Sequence, residues 1–303
     1  MLRPATVAGI GELLWDIFPH HQQLGGAPAN FAWHCWQLGA EAYPVSCVGT
    51  DSLGRRARSR LAEMGVDDRY VFTTDVLPTG SVEVSLSAAG KPSYEIKADV
   101  AWDQLPLADE LKTLARRLDA ICFGSLAQRS VPTRETIRAV LREMPADALK
   151  VFDVNLRQSF HSRALIEESL ELASVLKLSD EELPVLAAHF ALPGAEAAQL
   201  VSLRERFDLR LVVYTRGAEG SRLVGADGTS DFPGLGGLAV DSVGAGDSFT
   251  AAICMGILRG GSLERVNRFA NEVAAYVCSQ RGATPVLPAH LLKSQLLPSP
   301  PKR

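Results

Sequence analysis

Asp241-Ser242-Val243-Gly244-Ala245-Gly246-Asp247-Ser248-Phe249 runs straight into apolar residues at helical spacing, because Phe249, Ile253 and Ile257 fall four apart. A helix therefore starts at the small residues Gly244, Ala245 and Gly246. The first backbone N–H groups of a helix have no internal partner and carry the positive end of its dipole, so they form an anion site. Glycine lets a bulky anion come close, having no Cβ in the way. Asp247 then puts a carboxylate inside the same cradle. A negative side chain beside a site built for a negative ligand needs a reason, and proton abstraction next to a phosphoryl group supplies one. The competing reading is simple complementation of the helix dipole, worth under about 1 kcal/mol. The motif alone leaves the two level.

Composition narrows the class. A chain of 303 residues, 47% hydrophobic and 22% charged, is expected to form one globular α/β domain with an insertion. Its formal net charge of −4 gives no general attraction to nucleic acid or to an anionic membrane. The run Arg55-Arg56-Ala57-Arg58-Ser59-Arg60 is the local exception, but Leu53, Ala57, Leu61 and Met64 thread an apolar helical stripe through it. The arginines are read as the solvated side of that helix. Five cysteines without Cys-x-x-Cys spacing, and six scattered histidines, point to a reduced setting and to no zinc site. Glu12 and Asp16 interrupt the first apolar run, and no stretch is long enough to cross a bilayer, so a cytoplasmic protein is expected.

Further along, strands and helices alternate. Thr6–Gly11, Tyr43–Val48, Ala120–Gly124, Lys150–Val154 and Leu211–Tyr214 read as strands. Pro28–Leu38, the Arg55 region, Thr133–Met144, Ser162–Leu176, 245–259 and Leu263–Ser279 read as helices. The alternation implies a mostly parallel sheet covered on both faces. One segment breaks it: Ser81–Leu86 has period two, Ala89-Gly90-Lys91-Pro92 turns the chain, and Tyr94 and Ile96 continue the alternation. This predicts a hairpin with one wet face, serving as a lid, a surface hairpin or a dimer edge. Residues 297–303 read as a frayed tail.

Four other stretches carry chemistry. Gly25-Gly26-Ala27-Pro28-Ala29-Asn30 opens the first helix and offers an amide to hydroxyls, or is an ordinary helix entry. Asp153-Val154-Asn155-Leu156-Arg157 follows a strand and reaches the carboxyl edge of the sheet, where Arg157 suits a phosphate or sugar, or a structural salt bridge. Ser179 with Glu182 reads as a capping box, a ligand site, or both. Thr215-Arg216-Gly217-Ala218-Glu219-Gly220 binds a nucleotide or starts a hairpin.

Taken together, Gly25-Gly26-x-x-x-Asn30 near the start and Asp241-Ser242-x-Gly244-Ala245-Gly246-Asp247 near the end resemble the two signatures of the PfkB carbohydrate kinases, the ribokinase-like fold. Thr50-Asp51 with Gly54, and Gly65-Val66-Asp67, also fit that family's pattern, and the resemblance spans nearly the whole chain. It implies a three-layer α/β fold with a mostly parallel central sheet and a small β-sheet lid, built from segments near 12–24 and 79–103. It implies Asp247 as general base, with Gly244, Ala245 and Gly246 as anion hole. Asp16, Gly26 and Asn30 would bind the sugar, with Arg157 beside them. Thr215, Gly217 and Asn271 would line the ATP site. Glu182 falls in the family's Asn-x-x-Glu motif for Mg²⁺ and phosphate, where Ser179 replaces the Asn. Asp241 and Ser242, with the Arg281-Gly282-Ala283 loop, resemble its monovalent-cation site, for K⁺.

The stretches 124–129, 153–157 and 177–182 look most like bacterial fructokinases. D-fructose is thus the expected acceptor, with 2-keto-3-deoxygluconate, ribose or a nucleoside as alternatives. A non-catalytic sugar or nucleotide sensor is the remaining one. Pairing of two copies through their lids stays open.

Overall fold

The computed structural model describes residues 3–86, 92–237 and 239–292. Its thirteen described strands, in chain order, are β1 (Thr6–Ile10), β2 (Leu14–Ile17), β3 (Gln22–Gly25), β4 (Glu41–Gly49), β5 (Val71–Thr74), β6 (Gly80–Leu86), β7 (Pro92–Ile96), β8 (Ala120–Gly124), β9 (Leu149–Asp153), β10 (Val175–Ser179), β11 (Leu211–Thr215), β12 (Ser221–Gly225) and β13 (Gly228–Phe232). The helices are α1 (Ala27–Gln37), α2 (Ser52–Glu63), α3 (Asp109–Ala115), α4 (Val131–Glu143), α5 (Arg163–Leu172), α6 (Leu183–Phe190), α7 (Glu196–Arg206), α8 (Ala245–Leu258), α9 (Leu263–Cys278) and α10 (Ala289–Leu292).

Nine strands form one sheet in the order β13-β12-β11-β10-β9-β8-β1-β4-β5. Every neighbouring pair from β11 to β5 is parallel, whereas β12 and β13 return as antiparallel hairpins. The strands are apolar on both faces, and their two-residue period sorts the side chains into two layers. Val7, Cys122, Val151, Val175 and Val213 meet Phe31, Phe249, Ile253 and Phe269 from α1, α8 and α9. Ala8, Phe123, Phe152, Leu176 and Tyr214 meet Leu111, Ile137, Ile166, Leu186 and Leu203 from α3 to α7. This is the three-layer arrangement expected.

The helix expected over Ser162–Leu176 ends early. That stretch is α5 followed by β10, with Ala173-Ser174 between them. Leu165, Ile166, Ser169 and Leu170 are buried on the helix, and burial then continues without a break through Val175–Leu178. No glycine or proline marks the boundary, so helical periodicity runs on into a strand buried on both faces. The β12–β13 hairpin, edge strand β5 and helices α3, α6 and α7 were also unread. The Arg55 run does lie on α2, with Ala57 and Leu61 buried below it and Asp51 capping its start through a bond from the Gly54 amide.

The remaining four strands make a second sheet, β3-β2-β6-β7. It is assembled from two separate excursions: β2 runs antiparallel to β3 and parallel to β6, and β6 is antiparallel to β7. Of the turn expected at 89–92, Pro92 is the first residue of β7, and its other residues, like the tail at 297–303, lie outside the described residues. On one face Leu14 and Val82 cluster with Phe18 and Ile96. Trp15 on the other packs with Ala57, Leu61 and Trp33 of α2 and α1. So β2 is seated on the body through Trp15, while the β6–β7 hairpin keeps the expected wet face, where Glu83 and Glu95 stand exposed and pair with Lys97. The returning chain is pinned by a buried ion pair, Arg129 to Asp103 at 2.8 Å, with the guanidinium 4.0 Å over the Trp102 ring and 4.7 Å over Phe160.

Candidate active site

The amino end of α8 points across the carboxyl edge of the large sheet, where open α/β folds bind ligands. Gly244 is its N-cap at φ 77°, a left-handed conformation that costs side-chain-bearing residues dearly. A Cβ there would lie 2.6 Å from both the Cα and the carbonyl oxygen of Ala283. Glycine is thus required by conformation and by space. Ala245, Gly246 and Asp247 follow as the first turn, with their amides at the helix end.

Asp247 is half-buried and accepts a hydrogen bond from Asn30 Nδ2 at 2.8 Å. Burial pushes its carboxyl up to about 6. The Asn30 bond and the charges of Lys177 and Arg157 oppose that rise, while Asp153 adds to it. A base that titrates there is ionised at neutral pH and remains basic enough to take a proton from an alcohol.

Below it runs a charged layer. Lys177 of β10 pairs with Asp153 at the end of β9 at 3.0 Å, both being buried. Thr250 of α8 donates to the other Asp153 oxygen at 3.2 Å. Burial alone would lower the Lys177 ammonium, but Asp153, Glu182 and Asp247 outweigh it and hold it above its ordinary value. The salt bridge considered for the 153–157 loop is therefore made by Asp153 with Lys177. Arg157 stands exposed, and its charge reaches Asp16, Glu12 and Asp247.

Asp16, on β2, is raised to about 6 by burial, with Arg157 opposing. Its Oδ2 lies where a Cβ on Gly25 would come within 2.6 Å, so the first glycine makes room for this carboxylate. Gly26 has φ 115°, and its missing Cβ accommodates the Glu12 carbonyl oxygen at 2.3 Å. The Gly25-Gly26 pair thus serves the meeting of small sheet and helix α1, and Asn30 on that helix reaches Asp247.

Glu182 is bound on both oxygens: Leu156 N donates to Oε1 at 2.8 Å and Ser179 N to Oε2 at 2.7 Å. The expected capping box appears only in its return half, because α6 starts at Leu183 and Glu182 is its N-cap, with no side-chain cap bond. What Glu182 does is brace the 153–157 loop against the end of β10. Asp241 plays the same part elsewhere: Val243 N donates to Oδ1 and Gly282 N to Oδ2, each at 3.0 Å. Ser242 is exposed beside it. The Gly282 loop is held from its other side by His34, whose Nε2 lies 2.9 Å from the Ala283 oxygen.

Thr215 ends β11, and the 215–220 stretch does start a hairpin, since β11 and β12 are antiparallel. Gly217 has φ 51° and nothing within 4 Å of where a Cβ would stand, so open space adjoins the turn. Asn271 is committed inward: its amide donates to Ser221 Oγ at 2.7 Å and to the Asn267 carbonyl at 2.8 Å. The structure thus joins Asp247 to Asn30 by a hydrogen bond and brings the Arg157 charge to bear on both Asp247 and Asp16. Thr215, Gly217 and Asn271 lie farther along the same sheet, toward β12.

Two residues beside Asp247 had no role assigned to them from the sequence, Glu12 and Lys177, the latter although it opens the 177–182 stretch. A lone lysine in the apolar strand Val-Leu-Lys-Leu was itself a signal, because a charge buried there demands a partner. Glu12, 3% exposed between β1 and β2, broke an apolar run in the same way.

The family model described as pfkB family carbohydrate kinase matches residues 17–290. The chain is 33% identical over 296 residues to an uncharacterized sugar kinase of Pyrococcus horikoshii, covering 91% of each. The structure of that kinase in complex with ATP superposes with a TM-score of 0.79 over 92% of this chain and 94% of the other. Fructokinase-1 of Zea mays is 30% identical over 319 residues, covering 96% of this chain and 97% of the plant enzyme. A Vibrio cholerae fructokinase, solved with fructose, ADP and calcium, is 25% identical with a TM-score of 0.80, over 95% and 97% of the two chains. With the family model spanning most of its length and a 33% identical sugar kinase covered over 91% of both chains, the chain belongs to the pfkB family of carbohydrate kinases.

Proposed function

We propose that this kinase transfers the γ-phosphoryl group of ATP to a primary hydroxyl of a small sugar, D-fructose to fructose 6-phosphate being the first choice. The observation that carries the reading is the Asp247 carboxylate in the first turn of α8, held by Asn30 and half-buried beside the amides of Ala245 and Gly246. Asp247 accepts the hydroxyl proton as the sugar oxygen attacks phosphorus, the bond to the ADP oxygen breaks, and ADP leaves with that electron pair. The Ala245 amide already donates to the Ser242 carbonyl at 3.3 Å, so the amides of Gly246 and Asp247 at the helix end are the donors assigned to the negative charge of the transferring group, and Lys177 and Arg157 add positive charge nearby. Asp16 and Asn30 are polar partners for sugar hydroxyls, and the small sheet excludes water above them.

Thr215 and Gly217 are the residues assigned to the nucleotide, with Asn271 shaping its wall through Ser221 and Asn267. Mg²⁺ fits beside Glu182 through water, because that carboxylate spends one lone pair of each oxygen on a backbone amide and keeps others free. When bound it neutralises phosphate charge. K⁺ near Asp241 and Ser242 would draw mainly on backbone carbonyls, Asp241 being occupied with two amides. The five cysteines are free, in keeping with a cytoplasmic setting, which belongs to the same proposal. Among the described residues no helix is long and apolar enough to cross a membrane.

Fructose is favoured by the fructokinase relatives named above. A coupled ADP-release screen over fructose, ribose, 2-keto-3-deoxygluconate and a nucleoside tests it, with fructose expected to give the highest kcat/KM. Asp247→Asn keeps the shape and removes the base, so turnover should fall by roughly 10²–10⁴-fold. A near-native rate in that variant refutes the assignment, and no ADP release with any sugar favours the sensor reading.

A further inference from the structure

A small cavity of about 10 Å³ is lined by Glu12, Phe31, Phe123, Asp153, Asn155 and Asp247. It has room for roughly one water molecule. Glu12 is buried, and its Oε2 has no hydrogen-bond partner. An ionised oxygen is not left bare in such a place, whereas a carboxylic acid can turn its proton toward a water in the cavity. The charged groups facing Glu12 are Asp247 from α8, Asp153 and Arg157 from the end of β9, and Lys177 from β10 through its bond to Asp153. Burial raises the Glu12 carboxyl to about 7, with its own backbone amide, the Arg157 charge and the Ala27 amide opposing and the Asp247 charge adding, against about 6 for Asp247. Between those two values the proton of the pair sits on Glu12, beside an ionised Asp247.

We propose that Glu12 is a positioning residue for the base: a neutral acid that donates its Oε2 proton, through one water in this cavity, to the Asp247 carboxylate. The bond fixes the direction of that carboxylate on the side Asn30 does not reach. This rests on Asp247 being the base, and it adds a buried acid to the machinery.

Glu12→Leu fills the same space without a donor, and Glu12→Gln restores one that cannot ionise. With D-fructose as acceptor, Glu12→Leu should lose tenfold or more in kcat while KM for sugar and ATP stays within about twofold. Glu12→Gln should recover most of that loss and lack the inflection in kcat near neutral pH expected of the native protein. A folded Glu12→Leu with native kcat overturns the inference, as does an inflection retained in Glu12→Gln.

A measurement free of turnover stands beside these: carboxyl ¹³C titration of Glu12 in the native chain and in Asp247→Asn. Removing the Asp247 charge should move Glu12 to lower pH, and an unchanged titration refutes the contact. If Asp247→Asn remains active, the base reading itself fails. If it is inactive while Glu12→Leu turns over normally, only the inference about Glu12 fails.

Discussion

Gly244→Ala should damage stability and catalysis together, and the size of the effect follows from the turn. Alanine at φ 77° carries a left-handed strain of roughly 1–2 kcal/mol. Its Cβ would also lie 2.6 Å from two backbone atoms of Ala283 and 2.7 Å from that residue's Cβ. Backbone cannot rotate away as a side chain can, and this backbone is tied down by the Gly282 amide on Asp241 and by His34 on the Ala283 carbonyl. Overpacking of this kind costs about 1–3 kcal/mol. Together the terms give roughly 3 kcal/mol, read by urea denaturation as a lower midpoint at unchanged slope. Relief requires the turn to shift away from residue 283, carrying the amides of Ala245 and Gly246 with it, so turnover should fall at least tenfold. Denaturation within 0.5 kcal/mol of the native chain, with native kcat, would show that the Ala283 loop yields freely and that the reasoning is wrong.

Three further outcomes are expected. The acid limb of kcat/KM should fall about tenfold per pH unit below roughly 6, following Asp247, and a limb near pH 4 contradicts the burial account. Lys177→Met should cost about 3–5 kcal/mol by leaving Asp153 buried without its partner, and should move that limb to higher pH, since the lost ammonium had favoured the ionised base. His34 is fully buried, and burial lowers it from 6.5 to about 4, with the Ala283 bond opposing. Its folded form binds a proton less readily than the unfolded one, so stability is full above pH 6.5 and drains as pH falls toward 4. At about 1.4 kcal/mol per tenfold that drop is about 3 kcal/mol, and the difference in denaturation between native chain and His34→Gln at pH 7 and pH 4.5 measures it.

The two loops that organise the site were legible because each joins a turn of small residues to a helix with clear periodicity. Asp241–Phe249 located the start of α8 to the residue, and Gly25–Asn30 located α1. What could not be read were consequences of three-dimensional proximity. The cost of a Cβ at Gly26 depends on the Glu12 carbonyl, fourteen positions back, and Glu182 is committed to Leu156 across the loop. The boundary between α5 and β10 was hidden for a different reason. Leu165 to Leu178 is apolar at a spacing that satisfies a helix, and only burial on both faces of the sheet separates the strand from it. Asn271 illustrates a third limit, for its role as a clamp between α9 and β12 follows from Ser221 and Asn267, residues no motif flagged.

The small sheet is stitched from two pieces of chain that leave the body far apart, 14–25 and 80–96, and join only along the β2–β6 seam. Either piece alone would be a two-stranded ribbon, which water dissolves. The cover over the cleft is therefore indivisible: shortening one excursion should unravel the other, and any ancestor without one would have had to do without both.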